Sequence, residues 1–255
     1  MDQSQNIQAE QYVFPYHYLP VFEENTTRLT RQWNWAPNYI AALRLTADWL
    51  RRLRISPDRD WKHIDIGCGD GALIFHLSQM FKKNRKMSWV GIDYDDRAIE
   101  WARIFNGENT EFVAGDIRRD YPAGSCDSAS LIEVAEHIPP QHLSAFIDAI
   151  HRVLKPGAQL FVTVPHSNRP VQKKHFQHFD FAHLETCFSS HFEVVEISGF
   201  AKHTRLSKLV QRIIMNRRYV FTLEPLSNRV INQLQRTYDE TENVGRIVAV
   251  FRKRG

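Results

Sequence analysis

The segment His63-Ile64-Asp65-Ile66-Gly67-Cys68-Gly69-Asp70-Gly71-Ala72 decides the reading of this chain. A short apolar run closes on three glycines at alternate positions and then gives way to a helical pattern, the order strand, tight turn, helix. Glycines at such a turn let a ligand at the carboxyl end of the strand touch backbone that a side chain would cover. By spacing alone the run also satisfies Gly-x-Gly-x-x-Ala, a dinucleotide pattern. Asp65 argues for another ligand. A carboxylate two positions before the first glycine repels a pyrophosphate and suits a group carrying an ammonium charge.

Working outward from this turn, short β-branched or apolar runs alternate with helical patterns. Strands are predicted at 62–66, 88–93, 110–114, 126–132, 158–164, 193–198 and 246–252, and helices at 71–82, 96–105, 141–154 and 180–190. In the clearest helix Leu143, Phe146, Ile147, Ile150, Val153 and Leu154 share one face, and Lys155-Pro156-Gly157 stops it. The expected fold is α/β, with a doubly wound, mostly parallel sheet over residues 61–255. Residues 1–60 read as an N-terminal aromatic and helical extension, with Phe14, Tyr16, Tyr18, Trp33 and Trp35 and a helix opening at Pro37 and running to about Arg54. A lid or substrate cap is its expected role. An insertion at about 201–244 precedes the last strand and holds Leu206, Leu209, Val210, Ile213 and Ile214, backed by Arg205, Lys208, Arg212 and Arg217.

Two further strands end on acids. Val90-Gly91-Ile92-Asp93-Tyr94 places Asp93 where both ribose hydroxyls of a nucleoside can donate to it, and Val113-Ala114-Gly115-Asp116-Ile117 places Asp116 where an adenine amino group can. Three successive strand-terminal carboxylates are hard to ascribe to turn chemistry.

The 255 residues are 43% hydrophobic and 24% charged, which excludes a disordered chain, a collagen-like repeat and a disulfide-stapled mini-protein. Cys68, Cys126 and Cys187 form no Cys-x-x-Cys pair, so reduced thiols are expected rather than a structural zinc site. There is no signal-peptide pattern at the first residues and no apolar run of about 18 residues, and the expected compartment is cytoplasmic. The net charge of +4 is unevenly spread, because residues 201–255 hold 12 basic and 4 acidic groups. That excess suits an acidic or phosphorylated partner, a peripheral membrane contact or a solvated basic face. With no recognisable RNA-binding module, nucleic acid is not the expected partner. No pattern sets an oligomeric state.

From about His63 to Pro165 the chain resembles the class I S-adenosylmethionine-dependent methyltransferases. The resemblance rests on the glycine turn, the Gly-Ile-Asp loop at 91–93, Gly115-Asp116, Ile132-Glu133-Val134-Ala135-Glu136-His137-Ile138-Pro139, and Arg152-Val153-Leu154-Lys155-Pro156-Gly157 before a strand ending Thr163-Val164-Pro165. It implies a seven-stranded Rossmann-like sheet in the order 3-2-1-4-5-7-6 with the seventh strand antiparallel. The cofactor it implies is S-adenosylmethionine, with Asp65, Gly67, Cys68 and Gly69 near the methionine part. Asp93 with Tyr94 would then lie at the ribose and Asp116 with Ile117 at the adenine, and Glu133 would be a further cofactor-binding residue.

Glu133-Val134-Ala135-Glu136-His137 lies where the methyl group is presented. His137, with Glu136 beside it, reads as a general base for a hydroxyl. The same five residues resemble the metal-binding motif of ubiquinone-pathway O-methyltransferases and of small-RNA 3′-terminal 2′-O-methyltransferases. On that reading Glu133, Glu136 and His137 hold a divalent metal, with His175 or His178 as a fourth ligand. The expected acceptor is a small-molecule or glycan hydroxyl. The alternatives are metal-dependent RNA 2′-O-methylation and a non-catalytic S-adenosylmethionine-binding regulatory or partner protein.

Overall fold

A computed structural model of the chain describes residues 21–23, 26–28 and 37–255, except 203, 205–207, 210–211, 214–223 and 240–242. The amino-terminal aromatics lie outside the described residues, as do Arg205, Leu206, Val210, Ile214 and Arg217 of the basic pattern, whereas Lys208, Leu209, Arg212 and Ile213 are described and exposed.

The central apolar runs form strands buried on both faces, as at Cys126–Ile132, and the edge strands at 110–114 and 192–200 are partly exposed. The elements run β1 Val21–Glu23, β2 Thr26–Arg28, α1 Pro37–Arg52, β3 Trp61–Ile66, α2 Ala72–Met80, β4 Met87–Asp93, α3 Asp96–Phe105, β5 Thr110–Ala114 and β6 Cys126–Ile132. They continue with α4 Pro140–Val153, β7 Leu154–Pro165, α5 Phe181–Phe188, β8 Phe192–Phe200, α6 Glu224–Leu234 and β9 Arg246–Lys253. The sheet order is β5-β4-β3-β6-β7-β9-β8, and β9 runs antiparallel to both neighbours. This is the expected seven-stranded topology. The winding reverses between β3 and β6, where a doubly wound sheet opens a crevice at its carboxyl edge.

Two apolar cores flank the sheet. Leu143, Phe146, Ile150, Leu184 and Phe188 of α4 and α5 pack on one face. Ala42, Trp49, Leu50, Leu73, Ile99 and Leu234 of α1, α2, α3 and α6 pack on the other. Trp49 stacks on Phe161 at 5.2 Å and donates its indole N–H to Gln159, so α1 is seated on the sheet itself. Arg44 of α1 reaches Asn228 and Asn232 of α6. That helix was not foreseen within the insertion, although Leu226, Val230 and Leu234 recur every four residues. The hairpin of β1 and β2, with Phe22 opposite Thr27, was likewise unforeseen.

Strand β7 starts four residues earlier than predicted, at Leu154, because Cys126 pairs with Leu154 before a register irregularity brings Ser128 opposite Gln159. Among the described residues no helix is long and apolar enough to cross a membrane.

Candidate active site

The turn after β3 is left-handed at three glycines, with φ of 73° at Gly67, 54° at Gly69 and 76° at Gly71. At Gly67 a Cβ would lie 2.5 Å from Val134, so the close approach of the loop after β6 requires glycine there as much as the dihedral does. Asp93, at the end of β4, braces the turn: its carboxylate accepts from the Gly69 amide at 2.9 Å and the Asp95 amide at 3.0 Å. Burial raises its pKa, and those backbone donors oppose the rise. Beneath the turn, Asp65 is 4% exposed and accepts a 2.6 Å hydrogen bond from Ser130. Burial lifts its carboxyl to about 7 against that bond, with neighbouring Asp93 adding to the rise.

A cleft of about 360 Å³ opens over the carboxyl ends of β3, β4, β5 and β6. Of the residues expected at the site, Gly67, Asp93, Tyr94, Asp116, Ile117, Glu133 and His137 line it. Asp65, Cys68, Gly69 and Glu136 are not among the residues that line it. The Cys68 side chain packs in the apolar core with Phe112, and burial pushes its thiol up. Asp116 is engaged by Arg118 at 2.9 Å, and that bond holds its carboxyl below the usual range. Arg118 and His142, which no sequence motif marks, also line the cleft, as do Pro139 of the 132–139 motif and Phe146 of the apolar helix face.

The second half of the site grows from the end of β6. Glu133 takes a left-handed φ of 56°, uncommon for a residue with a side chain, and turns the chain into a single 3-10 turn, Ala135–His137. Its carboxylate accepts from Arg246 of β9 at 2.8 Å and from Thr163 of β7 at 3.1 Å. Glu136, 1% exposed, has neither carboxylate oxygen hydrogen-bonded. Burial raises its pKa well above the carboxylate range, and the Glu133 charge adds to this.

Glu136, His137 and His175 each offer a ligand atom within 4.8 Å of the others. Glu133, committed to Arg246 and Thr163, is outside this group, and so is His178. Hydrogen-bond logic fixes both imidazoles. The His137 Nδ1 is 2.9 Å from the Lys174 carbonyl, which only accepts, so Nδ1 carries the proton and Nε2 the lone pair. His178 Nδ1 likewise donates to the Arg169 carbonyl at 2.9 Å. His178 Nε2 must then accept from His175 Nδ1 at 2.8 Å, which leaves His175 Nε2 unprotonated as well. Burial lowers His137 to about 4 and His175 to about 3, with neighbouring His137 adding to the latter, so both are neutral at neutral pH. A buried carboxylate without a partner and two imidazole lone pairs form a donor set that fits a divalent cation.

Residues 37–202, more than half the chain, match the family model described as a methyltransferase domain. A ubiquinone biosynthesis O-methyltransferase of Pseudomonas aeruginosa is 31% identical over 113 residues, which is 42% of this chain and 45% of that protein. The chain thus matches less than half the length of this curated relative. Among solved structures, the N-methyltransferase NodS of Bradyrhizobium japonicum, in complex with S-adenosylhomocysteine, aligns over 99% of both chains with a TM-score of 0.59 at 16% identity. The 1,6-didemethyltoxoflavin-N1-methyltransferase of Burkholderia thailandensis aligns over 86% of this chain and 79% of its own, with a TM-score of 0.54 at 16% identity. Sheet order, glycine turn and family match agree: the chain belongs to the methyltransferase-domain family and has the fold of class I S-adenosylmethionine-dependent methyltransferases.

Proposed function

We propose that this methyltransferase acts on a hydroxyl oxygen of a small molecule or sugar, with Glu136, His137 and His175 holding a divalent cation beside the acceptor. The observation that carries the proposal is the Glu136 carboxyl group, buried and unbonded, with a ring nitrogen of His137 and one of His175 within 4.8 Å. Three features converge on this reading. A general base works best with a pKa near the working pH, and His137 at about 4 is a poor one and a good neutral ligand. The carbonyl of Lys174 and the side chain of His178 present both Nε2 atoms inward, the second-layer bonding that orients metal-binding histidines. The ubiquinone biosynthesis relatives support oxygen as the accepting atom.

S-adenosylmethionine supplies the methyl group from a sulfonium, which leaves as a neutral thioether. The chain's own part is largely alignment for an in-line displacement. Asp93 and Asp116 line the cleft where the ribose and adenine are expected, Gly67 lines it where the methionine part is expected, and Asp65 stands at the end of the strand that leads into that turn. A divalent cation on the three donors would supply Lewis acidity and make an adjoining hydroxyl a better nucleophile.

The test is turnover with labelled S-adenosylmethionine on panels of small hydroxyl compounds, amines and RNA, with and without a chelator. Methylation of hydroxyls that chelation abolishes and a divalent salt restores is expected. Preference for amines would refute the oxygen acceptor, and labelling of RNA ribose in preference to small hydroxyls would move the acceptor to nucleic acid. Full turnover in chelator would refute the cation.

A further inference from the structure

We propose that Trp61, Ser128, His63 and Ser130 form a one-way hydrogen-bond chain that polarises Asp65 and sets it to receive the ammonium group of the cofactor's amino-acid moiety. The proposal rests on the reading that Asp65 faces that ammonium group.

Trp61, His63 and Asp65 alternate along one face of β3, and Ser128 and Ser130 do so on β6, with His63 opposite Ser128 and Asp65 opposite Ser130. His63, Ser128 and Ser130 are fully buried, with the His63 ring set between the rings of Trp49 and Trp89. The Trp61 indole nitrogen lies 2.9 Å from Ser128 Oγ, His63 Nδ1 2.9 Å from Ser128 Oγ, His63 Nε2 3.0 Å from Ser130 Oγ, and Ser130 Oγ 2.6 Å from Asp65.

The ends fix the direction. Asp65, when ionised, only accepts, so Ser130 donates to it and must accept from His63, which places the ring proton on Nε2. His63 Nδ1 then accepts from Ser128, and Ser128 accepts from Trp61, whose indole has no lone pair to offer in return. Every hydrogen is used once. If Asp65 were protonated and donated to Ser130, the order would reverse, Ser128 would receive from both His63 and Trp61, and its own hydrogen would lack this acceptor. The donor-only end at Trp61 therefore favours the order in which Ser130 donates to Asp65, and aligned hydrogen bonds in a buried medium reinforce one another. Burial keeps His63 neutral, as the chain requires.

Calorimetry with two probes separates the idea from a merely structural role: S-adenosylhomocysteine, which carries the ammonium group, and 5′-methylthioadenosine, which lacks the amino acid. Asp65→Asn and Ser130→Ala should each weaken S-adenosylhomocysteine roughly tenfold or more while leaving 5′-methylthioadenosine within about twofold. Ser130→Thr, which keeps the hydroxyl, should restore the wild-type ratio, and Trp61→Phe, at the far end, should shift it in the same direction by less. In the unaltered protein with S-adenosylhomocysteine bound, ¹⁵N NMR should find His63 in the Nε2–H tautomer, a measurement that needs no variant to fold. A proton on Nδ1, or equal weakening of both probes by Ser130→Ala, would overturn the chain. If Asp65→Asn leaves the probe ratio unchanged, the reading of Asp65 fails. If Asp65→Asn shifts the ratio and Ser130→Ala does not, the chain alone fails.

Discussion

Replacing Glu136 with glutamine should stabilise the metal-free protein and abolish its response to divalent cations. In the unfolded chain a glutamate ionises near pH 4.3, at about the model-peptide value. In the folded protein Glu136 is 1% exposed with no hydrogen bond, and burial followed by the Glu133 charge holds its pKa well above that. Above the unfolded pKa, the folded state keeps a proton that the unfolded state has released. Stability is therefore full below the unfolded pKa and falls as pH rises toward the folded pKa, by about 1.4 kcal/mol per pH unit. E136Q lacks this slope. Above the unfolded pKa its advantage over wild type should therefore widen with rising pH until the folded pKa is passed. Asp65, whose pKa is also raised, contributes the same slope to both proteins and cancels. Lys174, Glu133 and Arg246, the charged groups acting on Glu136, are likewise common to both. Urea unfolding in chelator across that pH range reads the difference directly. A divalent cation at about a hundred times its dissociation constant should add about 2.7 kcal/mol to wild type alone. Parallel pH profiles, or a cation that stabilises both proteins equally, would refute the reasoning.

Three other outcomes follow from the site. His178→Phe removes the acceptor that fixes His175 and should weaken divalent-ion binding by about 10–100-fold, whereas His178→Gln keeps an acceptor and should lose far less; Mn²⁺ titration followed by electron paramagnetic resonance checks both. Asp93→Asn should weaken S-adenosylhomocysteine and 5′-methylthioadenosine alike, by about 1.5–3 kcal/mol, because the ribose is common to the two; an effect confined to one ligand would place Asp93 elsewhere. Affinity for S-adenosylhomocysteine should fall as pH drops below about 7, where Asp65 takes up a proton and can no longer pair with an ammonium group. Asp65→Asn should flatten that profile.

Strand positions and the three acids at strand ends were legible because they depend on local pattern: β-branched runs, a glycine turn, a carboxylate closing each run. The division of labour around Glu136 was not. Whether Glu133 joins the ligand group depends on Arg246, 113 positions away, which an antiparallel last strand brings alongside. Whether His175 or His178 faces inward depends on the Arg169 carbonyl, which no side-chain pattern reveals. The polar ladder on β3 and β6 was hidden for a similar reason. His63 reads as an ordinary strand residue until Ser128 and Ser130 are known to lie opposite it. The repeat that forms α6, Leu226, Val230 and Leu234, is overshadowed in the sequence by the denser apolar pattern at 206–214.

The place of β9 has a consequence for how the molecule is made. It is synthesised after β8 yet lies between β7 and β8, and β8 pairs only with it among the strands described. While the chain emerges from the ribosome, β7 presents an open edge and β8 has no berth in the sheet. Arg246, at the first position of β9, is also the residue that ties down Glu133. The nascent protein thus gains its outer sheet and the restraint on its active-site loop in one step, when the last strand slides into the gap.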